Sequence, residues 1–193
     1  MILNLITFIS NNHLYYIWNL ADPDTFEEKL EEVDVLIEIP KDSTVKYEMD
    51  PKTGVIVVDR VLAVSMVYPC NYGYIIDTRE QDGDHMDAFV LGNYSLTPGS
   101  VIKSRPIGAV LTQDQKGTDS KVVAVPVTKV DPSFSNIDDI KDIPNYMHNK
   151  LQHFIEHHKD LEKDKYVKIL GWKCKELTKK LILDAAKRYN SKQ

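Results

Sequence analysis

The chain has 193 residues, with 24 Lys and Arg against 29 Asp and Glu, which gives a net charge of −5. That length suits a single domain, and 42% hydrophobic with 27% charged residues excludes a disordered or collagen-like chain. The acidic balance argues against a protein whose main work is gripping nucleic acid, which wants a basic face.

Two cysteines, Cys70 and Cys174, cannot form a disulfide scaffold. They point to a reducing compartment, the cytoplasm, where each packs as a small apolar group. Met1 to Ile9 is apolar, but no Lys or Arg precedes it and no small-residue cleavage site follows. Asn11, Asn12 and His13 interrupt it far short of the roughly 20 residues a membrane helix needs. No signal peptide and no membrane span are expected. Residues 1–32 read as an N-terminal arm, with Trp18 and the Tyr15-Tyr16 pair as docking groups and Glu27 to Glu32 as a short helix.

From Val33 onward, in the single domain 33–193, short β-branched runs alternate with turn residues. Val33 to Ile39 stops at Pro40, and Val45 to Met49 with Val55 to Val58 flank Asp50-Pro51-Lys52-Thr53-Gly54 as a hairpin. Met86 to Leu91, Val101 to Leu111, Lys121 to Val127 and Tyr166 to Leu170 are further strands. Pro106 demands a bulge or an edge position in its strand. From Pro144 the positions Met147, Leu151, Phe154 and Ile155 follow the helical period, and Leu177, Leu181, Ile182, Ala185 and Tyr189 repeat it. Many short strands and two closing helices predict a mainly β, α+β domain, a barrel or sandwich with helices covering one side. No internal repeat or flexible linker marks a second domain.

The chemistry concentrates in Asp82-Gly83-Asp84-His85-Met86-Asp87. Three carboxylates this close repel one another unless cations lie among them, and an all-oxygen donor set suits Mg²⁺ or Mn²⁺ rather than Zn²⁺. Read alone, a solvated acidic turn explains the stretch equally well. An EF-hand loop starting at Asp82 would need Gly and Glu where Asp87 and Asn93 stand. A haloacid-dehalogenase-type phosphatase would need a buried strand where Thr78-Arg79-Glu80-Gln81 stands. Asp114, Asp119 and Lys121 form a second cluster, for which a polar hairpin is the simpler reading. Glu38 lies in an apolar strand, where an unpaired carboxylate is costly unless it faces a polar cavity. Lys46 and Glu48 share one strand face by the two-residue period.

Taken together, these segments resemble the soluble family I inorganic pyrophosphatases in their short, prokaryotic form. The resemblance runs from about Val33 to Trp172. It rests on Ile37-Glu38-Ile39-Pro40, Lys46-Tyr47-Glu48, Val58-Asp59-Arg60, Tyr68-Pro69-Cys70-Asn71-Tyr72-Gly73-Tyr74, the Asp82 to Asp87 signature, Asp114 to Lys121, and His157-His158-Lys159-Asp160-Leu161. It implies a five-stranded OB-like barrel with two C-terminal helices packed against it. The implied activity is that of an inorganic diphosphatase, splitting pyrophosphate into two phosphates with three to four Mg²⁺ ions.

Carried over by motif, Asp82, Asp87 and Asp119 would bind the first metal, and Asp87 would bridge to a second, with the attacking water between them. Asp84 would take that water's proton. Asp114 with Asp119 would hold a third metal, and Glu38 would support a fourth. Lys46, Arg60, Tyr72, Lys121 and Lys159 would contact the phosphoryl groups, with Glu48 and Tyr68 in support. The resemblance further implies a homohexamer with neither a nucleic-acid nor a membrane partner. Seven of these acids against four bases leave −3, which would repel a pyrophosphate of about −3 to −4 until metal reverses the sign. Two positions depart from the pattern. His85 interrupts the signature where Pro or Glu is usual, a change expected to alter loop stiffness. His158 replaces the usual Tyr before the phosphate-binding Lys. Helical spacing from Ile155 allows it simply to fill part of a helix face. The preferred expectation is that it lies on the phosphate side and titrates near pH 6.5, so that His158→Tyr would flatten the activity profile between about pH 6 and 7.5. Two rival readings remain: another Mg²⁺-dependent phosphatase, and an OB-barrel oligonucleotide-binding module.

Overall fold

A computed structural model describes residues 6–10, 13–17 and 30–191. The chain divides into two units, Met1–Leu30 and Glu31–Gln193. In the first, β1 (Ile6–Ser10) and β2 (His13–Ile17) pair antiparallel, Ile6 opposite Ile17. Neither strand was expected from the sequence. Trp18 and residues 27–29 of the expected helix lie outside the described residues. Leu30 to Glu32 is not helical. Glu31 instead reaches Lys175 Nζ at 2.9 Å and Lys179 Nζ at 2.6 Å, which anchors the start of the second unit.

The second unit is built on a ring of five strands: β3 (Val33–Ile39), β6 (Asn71–Ile75), β7 (Asp87–Val90), β9 (Gly117–Pro126) and β8 (Val101–Asp114). The β8–β9 pairing closes the ring, and β7–β9 is its parallel step. β10 (Val167–Cys174) extends the sheet along β8. Alternation explains the ring: Val33, Val35, Ile37 and Ile39 of β3 are buried while the residues between them are not. The register shifts between Pro106 and Gly108, the bulge that Pro106 called for, in a strand paired on both sides rather than at an edge.

β6 was missed in the sequence, because Asn71 and Gly73 break the β-branched pattern. Its glycine has a packing cause. A Cβ on Gly73 would stand 1.8 Å from the Leu36 carbonyl oxygen, so only glycine lets β6 lie against β3 there. β4 (Val45–Met49) and β5 (Ile56–Val61) form their own two-stranded sheet, so Lys46 and Glu48 stand outside the ring rather than on barrel positions.

Helix α1 (Asn145–His157) follows Pro144, which caps it, and buries Leu151, Phe154 and Ile155 beside β10. Helix α2 (Lys175–Asn190) lies on β8 and β10. Ile182 and Ala185 of the expected face are buried, but Leu177 is exposed and Thr178 and Leu183 are inside instead. Cys70 is buried and Cys174 exposed, both as free thiols. Among the described residues no helix is long and apolar enough to cross a membrane.

Candidate active site

Ring closure brings acids and bases from three strands to one place. Tyr74 of β6 pairs with Asp87 of β7, and Ala88 pairs with Val122 of β9, so Asp87 and Lys121 emerge side by side. Lys121 Nζ contacts Asp87 Oδ2, lies 2.7 Å from Asp119 Oδ2 and 3.2 Å from the Tyr72 hydroxyl. Tyr72 donates its hydroxyl proton to Asp87. Burial and the Asp87 charge push that phenol well above its ordinary range, which keeps it a donor. Burial pulls the Lys121 ammonium down, but Asp87, Tyr72 and Asp119 more than offset this and hold it well above its usual value. Burial raises the Asp119 carboxyl despite Lys121.

At the tip of the β8–β9 hairpin, Asp114 Oδ2 accepts from Lys159 Nζ at 3.0 Å, and its carbonyl accepts from the Tyr166 hydroxyl at 3.3 Å. Burial acts to raise the Asp114 carboxyl, but the Lys116 amide and Lys159 prevail and lower it. From β3, Glu38 Oε1 accepts the Met49 amide at 2.7 Å. Burial pushes that carboxyl up to about 7, with the Asp87 and Glu48 charges adding to the shift. On the β4–β5 sheet, Lys46 pairs with Glu48 and, at 3.5 Å, with Asp59. Arg60 pairs with Asp59 and, through Nε at 3.2 Å, with Glu162. Tyr68 is buried, and Arg60, Lys121, Asp87 and Asp59 all act on its phenol, which burial holds well above its usual range.

Asp82 and Asp84 stand on an exposed turn, where Gly83 takes φ +103° and the Asp84 amide donates to Asp82 Oδ1 at 3.1 Å. Among the described residues neither carboxylate pairs with a cation. His85 stacks flat on Tyr74, ring centroids 4.5 Å apart, with Nδ1 2.7 Å from the Thr78 carbonyl oxygen, so it ties the signature loop to β6.

His158 corrects one expectation. Its Nδ1 lies 3.0 Å from both the Phe154 and Ile155 carbonyl oxygens, and its ring stacks on Phe154. Burial, aided by the Lys159 charge, drives its pKa down to about 4. The imidazole is therefore neutral from pH 6 to 7.5, and the expected titration near 6.5 does not occur.

Sequence reasoning assigned no role to Asp59 or Glu162, the partners of Arg60. Asp59 lay in plain view beside Arg60. Glu162 had no signal, being 102 residues from the arginine it meets.

The donor set fits a hard cation by chemistry: Asp82, Asp84, Asp87, Asp114, Asp119 and Glu38 offer carboxylate oxygens without sulfur or imidazole. Among the described residues no three Asp, Glu, His or Cys side chains are already gathered around one point. Lys121 occupies the space between Asp87 and Asp119, and its ammonium stands in for positive charge there.

An OB-like ring with Asp87, Asp119 and Lys121 gathered at its mouth suits an enzyme that handles polyanionic substrates. The inorganic pyrophosphatase family model matches residues 35–190. An inorganic pyrophosphatase of Saccharolobus solfataricus is 56% identical over 156 residues, 79% of this chain and 91% of that protein. That of Sulfolobus acidocaldarius is 55% identical over 161 residues, 83% and 93% of the two chains. The solved structure of the Helicobacter pylori enzyme superposes with a TM-score of 0.82 at 41% identity, covering 84% of this chain and 95% of that one. The chain belongs to the inorganic pyrophosphatase family, whose catalysis is metal-dependent.

Proposed function

We propose that the chain hydrolyses pyrophosphate to two phosphates at the ring mouth, with Asp84 as the general base. The observation that carries this reading is the meeting of Tyr72, Asp87, Asp119 and Lys121. Family membership supports the substrate. Asp82, Asp87, Asp119, Asp114 and Glu38 would hold three to four Mg²⁺ ions, or Mn²⁺ in their place. When bound, such ions supply the charge that attracts a polyanion and lower the pKa of water toward neutrality.

The residues divide the remaining work. Asp84, exposed and without a cation partner among the described residues, accepts the proton of the attacking water at a carboxylate oxygen. Lys46, Arg60, Lys121 and Lys159 bind phosphoryl oxygens and neutralise the charge that grows on the leaving phosphate. Tyr72, held protonated by burial, donates from its hydroxyl. Asp59 and Glu162 orient Arg60, and Glu48 orients Lys46. His158, a neutral group beside Lys159, packs the phosphate side through its ring and leaves Nε2 as its remaining polar atom. Assembly as a hexamer and residence in the cytoplasm complete the reading; the two free thiols support the second.

The test is phosphate release from pyrophosphate with magnesium, beside the same sample in EDTA. Fast release that EDTA abolishes and that Asp84→Asn nearly removes is the expected result. Release that survives Asp84→Asn would move the base elsewhere. Sedimentation of the same preparation reads the assembly.

A further inference from the structure

The turn that carries Asp82 and Asp84 is held from behind by the last helix. Thr78, buried, closes the base of the loop: its hydroxyl donates to the Ile75 carbonyl at 2.5 Å and accepts the Met86 amide at 3.0 Å. Beyond it, the Arg79 amide donates to the Ala185 carbonyl of α2 at 3.0 Å. Arg188, near the end of α2, then makes two bonds with one guanidinium. Its Nε donates to the Arg79 carbonyl at 2.8 Å, and a terminal nitrogen donates to Glu80 Oε2 at 3.2 Å. Glu80 passes the constraint on through its backbone. Its amide donates to the Asp84 carbonyl at 2.7 Å, and its carbonyl accepts from the Gly83 amide at 3.2 Å.

We propose that Arg188 is a positioning residue for the reaction, fixing the Asp82–Asp84 turn through Arg79 and Glu80. Two features separate this from ordinary helix docking. The fork of Arg188 grips backbone and side chain of consecutive residues, which fixes direction as well as distance, as a point charge cannot. Among the described residues, Glu80 also leaves its other oxygen, Oε1, buried without a hydrogen-bond partner. Burying a half-satisfied carboxylate beside an acidic loop costs stability, and such costs are tolerated where geometry must be exact. Groups that orient the holders of a metal or base commonly matter about 10-fold or more for affinity and rate.

The inference rests on the assignment of Asp82 and Asp84 above, so the experiment carries an arm for each. Arg188→Ala, Arg188→Lys, Glu80→Gln and Asp84→Asn are compared with the wild type and with Lys187→Ala, an exposed neighbour on α2. Two quantities are read: Mn²⁺ affinity of the substrate-free protein by electron paramagnetic resonance, and kcat and KM for pyrophosphate at saturating Mg²⁺. Arg188→Ala is expected to weaken Mn²⁺ binding and lower kcat, each by about 10-fold, with KM within about twofold because Lys46, Arg60 and Lys159 are untouched. Arg188→Lys, which keeps the charge but loses one of two bonds, is expected to lose about threefold. Lys187→Ala is expected to match the wild type. If Arg188→Ala fails to fold, Arg188→Lys and Glu80→Gln carry the same comparison. Mn²⁺ affinity and kcat within twofold of the wild type for these variants, with Asp84→Asn inactive, would overturn the role of Arg188 alone. An active Asp84→Asn would overturn the site assignment and this inference with it.

Discussion

Lys121 Nζ lies 2.7 Å from Asp119 Oδ2, two residues back along the same strand, and also contacts Asp87 on the neighbouring strand. One ammonium thus bridges two carboxylates that would otherwise repel each other at the ring mouth. Replacing it with Lys121→Met leaves both acids uncompensated, and the metal-free protein should lose ~2 kcal/mol, below the usual cost of breaking a fully buried pair. Magnesium should restore more stability to this variant than to the wild type, because the cation no longer competes with Lys121. Thermal melts of both proteins in EDTA and in Mg²⁺ measure the difference. Equal shifts would show that Lys121 does not occupy the cation's place.

His158 contributes to acid sensitivity rather than to the activity profile. Its folded pKa of about 4 lies below the ordinary 6.5. The unfolded chain therefore binds a proton there at a pH where the folded one does not. Stability from this group is fully present above about 6.5 and is lost as pH falls toward 4, by up to about 3 kcal/mol. His158→Phe should flatten the decline in melting temperature over that window. His158→Tyr should leave the activity profile between about pH 6 and 7.5 unchanged.

Glu38 works in the opposite sense. Its carboxyl is pushed up to about 7, above the ordinary 4.5, so the folded state resists ionising it and loses stability as pH rises from 4.5 through 7. Glu38→Gln keeps an oxygen for the Met49 amide and removes the charge. The metal-free variant should melt a few degrees higher than the wild type at pH 8, with no gain at pH 4.5. Activity should fall, because a supporting carboxylate is gone. Higher stability and lower turnover together would mark Glu38 as retained for function.

Gly73→Ala tests the ring itself. The added methyl would sit 1.8 Å from the Leu36 carbonyl oxygen, on backbone that cannot step aside. A loss of about 4 kcal/mol or more is expected, and the variant should fail to accumulate as a soluble protein. A near-normal melting temperature would mean that β6 and β3 part more easily than their register implies.

The sequence by itself determined most of the strands and marked where acids and bases cluster. Asp82 to Asp87, Lys46 with Glu48, and Asp119 with Lys121 are legible because strand and turn geometry acts over two to five residues. The same local rules located β3, β8 and α1, since burial on one face of an element writes a period into its sequence. They failed at β6, where a close approach by Leu36, 37 residues earlier, dictates a glycine in place of a β-branched residue. They located only part of the buried face of α2: Ile182 and Ala185 are inside, but Thr178 is inside and Leu177 outside.

What the tertiary structure alone decided is which distant groups meet. Arg60 finds Glu162, Lys159 finds Asp114, and Arg188 finds Glu80, each across tens of residues. No periodicity links such pairs. The β8–β9 hairpin sets Asp114 at its tip, and the seating of α2 on β8 and β10 sets Arg188. The local environment of His158 was decided in the same way. An imidazole drawn alone titrates near neutrality, but stacked on Phe154 and bonded to helix carbonyls it does not, because burial penalises the charged form.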